Sequence, residues 1–141
     1  MPELAGLGRL ELSELGLAPR GFIAPAWLLG AEAEEALRDL GYAYTTRLRT
    51  VHDLQSGAVQ MSQSLCWSVR AAWRRQISLV WNAGLYHRLL DIPLLRIAVH
   101  PPDCDHPKIW RQIRGVVTAA LRTRMARTYL EALTANAESF S

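Results

Sequence analysis

Residues 21–46, GFIAPAWLLGAEAEEALRDLGYAYTT, contain a complete strand–helix–strand pattern. Residues 21–24 form a short apolar stretch that a proline ends, which predicts a buried strand. Residues 31–40 place their apolar side chains on one helical face, and Gly41 stands where a glycine ends a helix. Residues 42–46 are aromatic and β-branched, which predicts a second strand. Strands and helices that alternate at such short spacing are typical of parallel α/β folds.

The same alternation extends in both directions from this segment. An amphipathic helix over residues 4–15 precedes it and ends at Gly16. The later elements that we predict are a hairpin of 49–53 and 58–61, strands at 64–69 and 94–99, helices over 70–90 and from Pro107, a short helix at 129–133, and a frayed tail at 134–141. In the helix 70–90, apolar residues recur at steps of four and predict one core face, formed by Trp73, Ile77, Trp81, Leu85 and Leu89.

Length and composition limit the class of protein. The chain has 141 residues and is 50% hydrophobic and 21% charged, which is sufficient for one folded domain. No apolar run approaches the roughly 18–20 residues of a membrane span, and the N-terminus does not have the pattern of a secretory signal. Cys66 and Cys104 cannot form a disulfide framework. We therefore expect a soluble, cytoplasmic protein with no transmembrane segment.

The basic residues are concentrated in the middle of the chain. The net charge is +3 overall, but it is −4 over residues 1–45 and +9 over residues 46–127. Arginine accounts for 15 of the 16 basic residues. Arginine binds carboxylates and phosphates in a fixed geometry, so an anionic partner is one interpretation of this region.

His100 is the main candidate for chemistry. It directly follows the predicted strand 94–99, and Pro101 and Pro102 come next. Active sites of α/β proteins form at the carboxyl ends of strands, and the near-neutral pKa of histidine suits proton transfer. Asp103 is the nearest carboxylate that could orient the ring. The alternative is a structural pair, in which His100 caps the strand and Asp103 caps the following turn.

The stretch Ile97-Ala98-Val99-His100-Pro101 resembles the Leu-x-Leu-His-Pro motif of the polysaccharide deacetylases, the family with the NodB-homology fold (carbohydrate esterase family 4). Ala24-Pro25-Ala26-Trp27 is similar to a variant of that family's Arg-x-Pro-Tyr loop. The resemblance covers most of residues 15–135. It implies an α/β chain that forms the C-terminal half of an incomplete (β/α) barrel of the glycoside hydrolase/deacetylase type.

The resemblance also implies roles for single residues. The chain would be a hydrolase-like protein related to enzymes that remove an N- or O-acetyl group from a carbohydrate with the help of a divalent metal, zinc. His100 would be the general acid. The family's Asp-rich motif that orients this histidine is not evident near Ser64-Leu65-Cys66-Trp67, so Asp103 is the nearest carboxylate that could take that role. Pro25 would shape a substrate loop, and Trp27 and Trp67 would form the walls of a carbohydrate-binding groove.

Two motifs of the family are missing. Its members have a Thr-Phe-Asp-Asp strand end and a His-x-x-x-His helix, which supply the catalytic base and the metal ligands, and this sequence has neither. The arginine expected two residues before Pro25 is Ile23. We therefore expect residues 1–141 to form a single partial domain that holds no metal and is inactive alone. Its partner would be the missing N-terminal half, or a second copy that covers the exposed strand edges.

Two other interpretations remain open. His100, Asp103, Cys104, Asp105 and His106 have side chains that suit zinc and could form a loop site. Alternatively, residues 70–81 interleave arginine and tryptophan, so the chain could be a basic binding module for nucleic acid or an anionic membrane surface, without catalysis.

Overall fold

The computed structural model describes residues 2–138. The chain divides into two compact units, where the sequence predicted one partial domain. The first unit consists of residues up to Met61 and from Arg127 onward, and the second of Ser62–Ala126. The five α-helices and six strands of the described residues confirm the α/β class, and their two sheets do not form a closed barrel.

The first unit is a four-stranded mixed sheet with helices. Its strands are β1 (Gly21–Phe22), β2 (Tyr44–Thr46), β3 (Thr50–Asp53) and β4 (Val59–Met61), and helix α2 (Ala31–Asp39) lies between β1 and β2 in the chain. Its sheet has the order β1-β2-β3-β4, in which β1 and β2 are parallel and the other neighbours are antiparallel. Helix α2 connects the parallel pair, and its Leu37 is 2% exposed and packs with Ala24, Tyr42 and Leu54. Its other elements are α1 (Pro2–Glu14), a 3₁₀ turn (Pro25–Trp27) and α5 (Tyr129–Glu138).

Local turn chemistry explains where these elements end. Gly41 has φ +76°, its N–H donates to the carbonyl of Arg38, and the next N–H donates to the carbonyl of Leu37. This is a Schellman motif, which requires a left-handed residue that glycine supplies at least cost. In the β3–β4 hairpin, the carboxylate of Asp53 accepts bonds from the N–H groups of Gln55 and Ser56. The predicted helix end and the predicted hairpin are both confirmed.

The second unit contains a parallel strand pair and two packed helices. Its elements are β5 (Ser64–Cys66), α3 (Ala72–Arg88), β6 (Arg96–Ala98), a 3₁₀ helix (Pro101–Asp105) and α4 (Pro107–Ala120). Strands β5 and β6 are parallel, in the register Ser64↔Arg96. The core is formed by Leu65, Trp67, Leu85, Leu89, Ile109, Ile113 and Val116. Helix α4 buries Ile109, Ile113, Val116 and Ala120, as its apolar pattern predicts.

The predicted core face of α3 is wrong from Trp73 to Trp81. Trp73 is 61% exposed, and Ile77 and Trp81 are each 58% exposed, whereas Leu85 and Leu89 are buried. Steps of four residues advance about 40° beyond a full turn, so a stripe of five such positions turns through roughly 160° and cannot stay on one face. The helix instead buries Ser78, Asn82, Leu85 and Leu89.

Buried polar side chains connect these α3 positions to the sheet. The amide of Asn82 is 1% exposed and donates to the carbonyl of Cys66 at 2.8 Å. The hydroxyl of Ser78 accepts a bond from the N–H of Ser68 at 3.1 Å. These hydrogen bonds offset part of the cost of burying the Asn82 NH₂ group and the Ser78 hydroxyl, and the burial of this side of the helix leaves the tryptophans exposed.

The last helix extends further than its sequence suggests. Helix α5 reaches Glu138, so residues 134–138 of the expected frayed tail are helical, and residues 139–141 lie outside the described residues. None of the helices in residues 2–138 combines the length and apolar composition that crossing a membrane requires.

Candidate active site

The carboxyl ends of β5 and β6 lie side by side in the second unit. The register pairs Cys66 with Ala98, so both strands end at the same level of the sheet. His100 follows β6 after one residue, and the 3₁₀ helix of residues 101–105 begins immediately after it. The structure therefore places His100 at the strand-end position where α/β proteins form their active sites.

Asp103 holds the backbone of His100 in place. The Asp103 side chain is fully buried, and its Oδ2 accepts the backbone N–H of His100 at 2.8 Å. The same oxygen lies 3.8 Å from Nδ1 of the imidazole, which is longer than a hydrogen bond but within ion-pair distance. The imidazole itself is 58% exposed. The structure thus brings His100 and Asp103 together, with the carboxylate buried and the imidazole exposed to solvent.

Asp103 also influences the thiol of Cys66. Burial raises the pKa of Cys66, and the negative charge of Asp103 raises it further. The thiol is therefore protonated at neutral pH and is a poor nucleophile. Asp103 uses only one oxygen for hydrogen bonding, since Oδ1 has no partner within residues 2–138.

Trp67 is mainly a core residue. It is 6% exposed, its Nε1–H donates to Oε1 of Gln112 at 2.8 Å, and the Gln112 amide donates to the carbonyl of Leu79. It contributes to a surface depression of about 360 Å³ together with Trp73, Ile77 and Trp81. Most of the indole surface in this depression comes from Trp73 and Trp81, which the sequence had assigned to the core.

Pro25 and Trp27 belong to the first unit, where they follow β1. Ala26 has φ +53° and Trp27 has φ +57°, so two consecutive residues other than glycine occupy the left-handed region. Each such residue costs on the order of 1 kcal/mol or more and persists only where the surroundings impose it. The N–H of Trp27 donates to the carbonyl of Ala24 at 3.0 Å. The turn presents Pro25 as exposed and the indole of Trp27 as half-buried.

The proposed zinc loop does not form a metal site. Asp103 is buried, whereas Cys104 and Asp105 are exposed, so the short 3₁₀ helix directs these neighbours apart. Within residues 2–138, no three side chains of His, Cys, Asp or Glu come together in a way that could hold a metal ion. The same finding applies to the zinc that the family resemblance implies. The described residues do not provide a set of ligands for that metal.

A hydrogen-bonded network in the first unit has no counterpart in the sequence analysis. Glu34 on α2 accepts bonds from Nη2 of Arg47 at 2.7 Å and from Nδ1 of His52 at 2.9 Å. The other ring nitrogen of His52 lies 2.9 Å from the hydroxyl of Thr50. Burial alone would raise the pKa of Glu34, but the bonds from Arg47 and His52 outweigh it and lower that pKa. No local motif indicates this network, because its members are distant in sequence and meet only when α2 packs against the hairpin.

Comparison with protein-family models, with curated proteins and with solved structures finds no match to this chain.

Proposed function

We propose that this chain is part of a polysaccharide deacetylase-like hydrolase, in which it forms the C-terminal half of a (β/α) barrel and supplies the general acid. The observation that supports the proposal best is the exposed imidazole of His100, which follows the parallel strand β6 and whose Nδ1 lies 3.8 Å from the buried carboxylate of Asp103. Each unit contains one parallel strand pair that is joined through a helix, as neighbouring strands of such a barrel are, whereas the pairs β2–β3 and β3–β4 are antiparallel.

The proposed role of His100 is proton donation to the leaving group. When water adds to an N-acetyl carbonyl, the tetrahedral intermediate collapses by breaking its C–N bond, and the departing nitrogen takes up a proton. The Nδ1 atom of His100 faces Asp103, so Nε2 is the nitrogen available to a substrate. As a general acid, the imidazolium would give its Nε2 proton to the leaving nitrogen as the C–N bond breaks. Activation of the water is a separate function that we do not assign to the residues described.

The substrate of the proposed reaction is an acetylated carbohydrate. The family resemblance assigns Pro25 and Trp27 to a substrate loop; within the first unit the indole of Trp27 is half-buried, and an indole face is a good surface for the apolar face of a sugar ring. Trp67 would support the site from the core, since its ring is almost fully packed. The exposed indoles of Trp73 and Trp81 are not needed for this role.

Binding of N-acetylglucosamine oligomers to the chain tests the proposal directly. We expect the ring signals of His100 to shift in an NMR titration, and the shift to be absent with galactose polymers that have no acetyl groups. His87→Asn is a matched control for His100→Asn, because His87 is also exposed but lies on α3. Loss of binding in His100→Asn alone supports the proposal, and equal effects of the two substitutions contradict it.

The DNA directly upstream of the Met1 codon provides a second test. An in-frame Asp-Asp strand end and a His-x-x-x-His helix would supply the base and the metal ligands of the family. In a protein extended in this way, His100→Asn is expected to lower kcat by roughly 100- to 10,000-fold, which is the usual contribution of a general acid. An extended protein that deacetylates its substrate equally well with His100→Asn refutes the proposed role.

A further inference from the structure

One face of α3 exposes four large apolar side chains to solvent. We call Trp73, Ile77, Val80 and Trp81 the α3 apolar face, and their exposed fractions are 61%, 58%, 76% and 58%. They follow one another at steps of three or four residues or are adjacent, so they lie on the same side of the helix. Soluble monomers rarely expose a contiguous apolar surface without a binding role. This face is therefore a candidate interaction surface.

Positive charge surrounds the α3 apolar face. Arg70 precedes the helix, the guanidinium of Arg74 lies 5.1 Å from the centre of the Trp73 ring, and Arg88 is in the last turn. Among the residues whose side chains the structure describes, 7–135, none forms an ion pair with Arg70, Arg74 or Arg88. Neither α3 nor α4 contains an acidic residue, and residues 62–126 have a net charge of +7. A partner that complements this surface must combine apolar groups with negative charge.

The face also contains an apolar groove that ends at a cation. Ile77, Val80, Trp81, Gly84 and Arg88 line a groove of about 440 Å³ along the helix. Gly84 has no side chain to fill it, and a Cβ at that position would meet no atom within 4 Å. An apolar groove next to an arginine matches an amphiphile with an acyl chain and an anionic headgroup.

We propose that the α3 apolar face binds the surface of an anionic lipid bilayer, with the helix lying in the interface. Helix α3 has 17 residues, or about 25 Å, so it would lie along the surface. Tryptophan is favoured at the depth of lipid headgroups, Ile77 and Val80 would enter the acyl boundary, and the arginines would contact lipid phosphates. This inference is independent of the proposed hydrolase function, because it uses none of the residues assigned to that site.

The chemistry of the face favours lipid over two other partners. Nucleic acid could stack its bases on the two indoles, but it would leave Ile77 and Val80 without an apolar partner. A second copy of the chain would bring two α3 helices together. An antiparallel pair would place Arg74 against the partner's Arg88, with no acidic residue on the helix to compensate. Both arrangements leave either the apolar groups or the charges unsatisfied.

Co-sedimentation of the full chain with vesicles tests the inference. We expect binding to phosphatidylcholine vesicles that contain about one third phosphatidylglycerol, weak binding to pure phosphatidylcholine, and a blue shift of tryptophan emission on binding. Ile77→Glu should lower the partition coefficient by about tenfold or more, because it removes an inserted group and adds a repelled charge. Val59→Glu is the matched control, since Val59 is 56% exposed and lies on β4, and we expect less than about a twofold effect.

Two double arginine variants test the role of positive charge in vesicle binding, independently of Ile77→Glu. Arg74→Gln with Arg88→Gln should weaken binding by about tenfold or more, since each arginine near an anionic surface contributes about a fivefold effect. Arg111→Gln with Arg114→Gln changes the net charge equally on α4 and should have a smaller effect. Far-UV circular dichroism verifies that each variant is folded.

Several results would overturn the inference. Failure to bind anionic vesicles refutes it, and so does equal binding to neutral and anionic vesicles or equal losses in the two arginine pairs. Binding of a DNA oligonucleotide that is tighter than vesicle binding and lost in Ile77→Glu assigns the face to nucleic acid instead. A concentration-dependent dimer that Ile77→Glu dissociates assigns it to a second copy of the chain.

Discussion

Removal of the negative charge of Glu34 tests how the first unit is held together. The substitution Glu34→Gln preserves the shape of the side chain but replaces a carboxylate that accepts bonds from both Arg47 and His52. The amide has one oxygen and can accept only one of these bonds, while its NH₂ group faces the other donor. The side chains of Glu34 and His52 are 18% and 14% exposed, so water compensates only partly for the loss.

The expected cost follows from the hydrogen bonds that are lost. A hydrogen bond to a charged group contributes about 1.5–3 kcal/mol. The bond to Arg47 contributes an energy at the lower end of this range or below it, because the Arg47 side chain is 37% exposed and solvent screens the pair. We expect Glu34→Gln to lower the free energy of unfolding by about 2 kcal/mol at pH 7. The matched control is Glu35→Gln, since Glu35 is exposed, and it should change the free energy of unfolding by less than about 0.5 kcal/mol.

The effect should depend on pH in one direction. The folded state lowers the pKa of Glu34 below its ordinary value of 4.5, so the unfolded chain binds the proton more tightly. The stabilisation is complete above pH 4.5 and is lost as the pH falls through the lower folded pKa. Urea unfolding followed by circular dichroism, with hydrogen exchange of the β2–β3 amides, measures the effect at pH 7 and at acidic pH. The reasoning is refuted if Glu35→Gln destabilises the protein equally, or if the difference between Glu34→Gln and the unmodified chain does not shrink in acid.

Three further perturbations test the packing of both units. Asp103→Asn should lower the pKa of Cys66, because it removes the negative charge that, after burial, raises this pKa. The rate of Cys66 alkylation at mildly alkaline pH, measured by mass spectrometry of the peptide that contains Cys66, should therefore increase. An unchanged rate contradicts the proximity of Asp103 and Cys66. Ile109→Ala should lower the free energy of unfolding by about 2–4 kcal/mol, since Ile109 is 1% exposed, and a loss below about 1 kcal/mol in urea unfolding would show a loosely packed core. Gly21→Ala should cost about 1–3 kcal/mol, because a Cβ at this position would overlap the ring of Tyr44, and Tyr44→Leu should recover part of the loss in a double-mutant cycle.

Helix ends and turns were predicted from the sequence because they depend on neighbouring residues. Gly16 and Gly41 both have φ +76°, and both end a helix as expected. Pro107 begins α4, and Gly57 has φ +75° in the predicted hairpin. A glycine in the left-handed region and a proline at the first position of a helix are decided by local backbone sterics, which a short stretch of sequence specifies.

The orientation of α3 could not be predicted from its apolar pattern. Its sequence offers two apolar surfaces, one that contains Trp73, Ile77 and Trp81 and one that contains Leu85 and Leu89. Asn82 and Ser78 are polar and were not part of the predicted core face. They are buried because the carbonyl of Cys66 and the N–H of Ser68 provide hydrogen-bond partners at the end of β5. Burial of Ser78 and Asn82 is favourable only because the neighbouring strand β5 lies where it can provide these partners.

In the candidate site, too, some features follow from neighbouring residues and others only from tertiary contacts. The position of His100 after a strand and its nearness to Asp103 were evident, since the two residues are three apart in the chain. The complete burial of Asp103 and its effect on the thiol of Cys66 depend on contacts between segments almost 40 residues apart. The network of Glu34, Arg47 and His52 is likewise formed by long-range packing.

The sequence by itself therefore determined the α/β class, the order of helices and strands, the glycine ends of α1 and α2, and the β3–β4 hairpin. The tertiary structure decided which face of α3 is buried, how deep Asp103 lies, and which partners Glu34 has. The physical reason is the range of the interactions. Backbone sterics and capping act within a few residues, whereas burial and hydrogen bonding of a side chain depend on atoms that folding brings from distant parts of the chain.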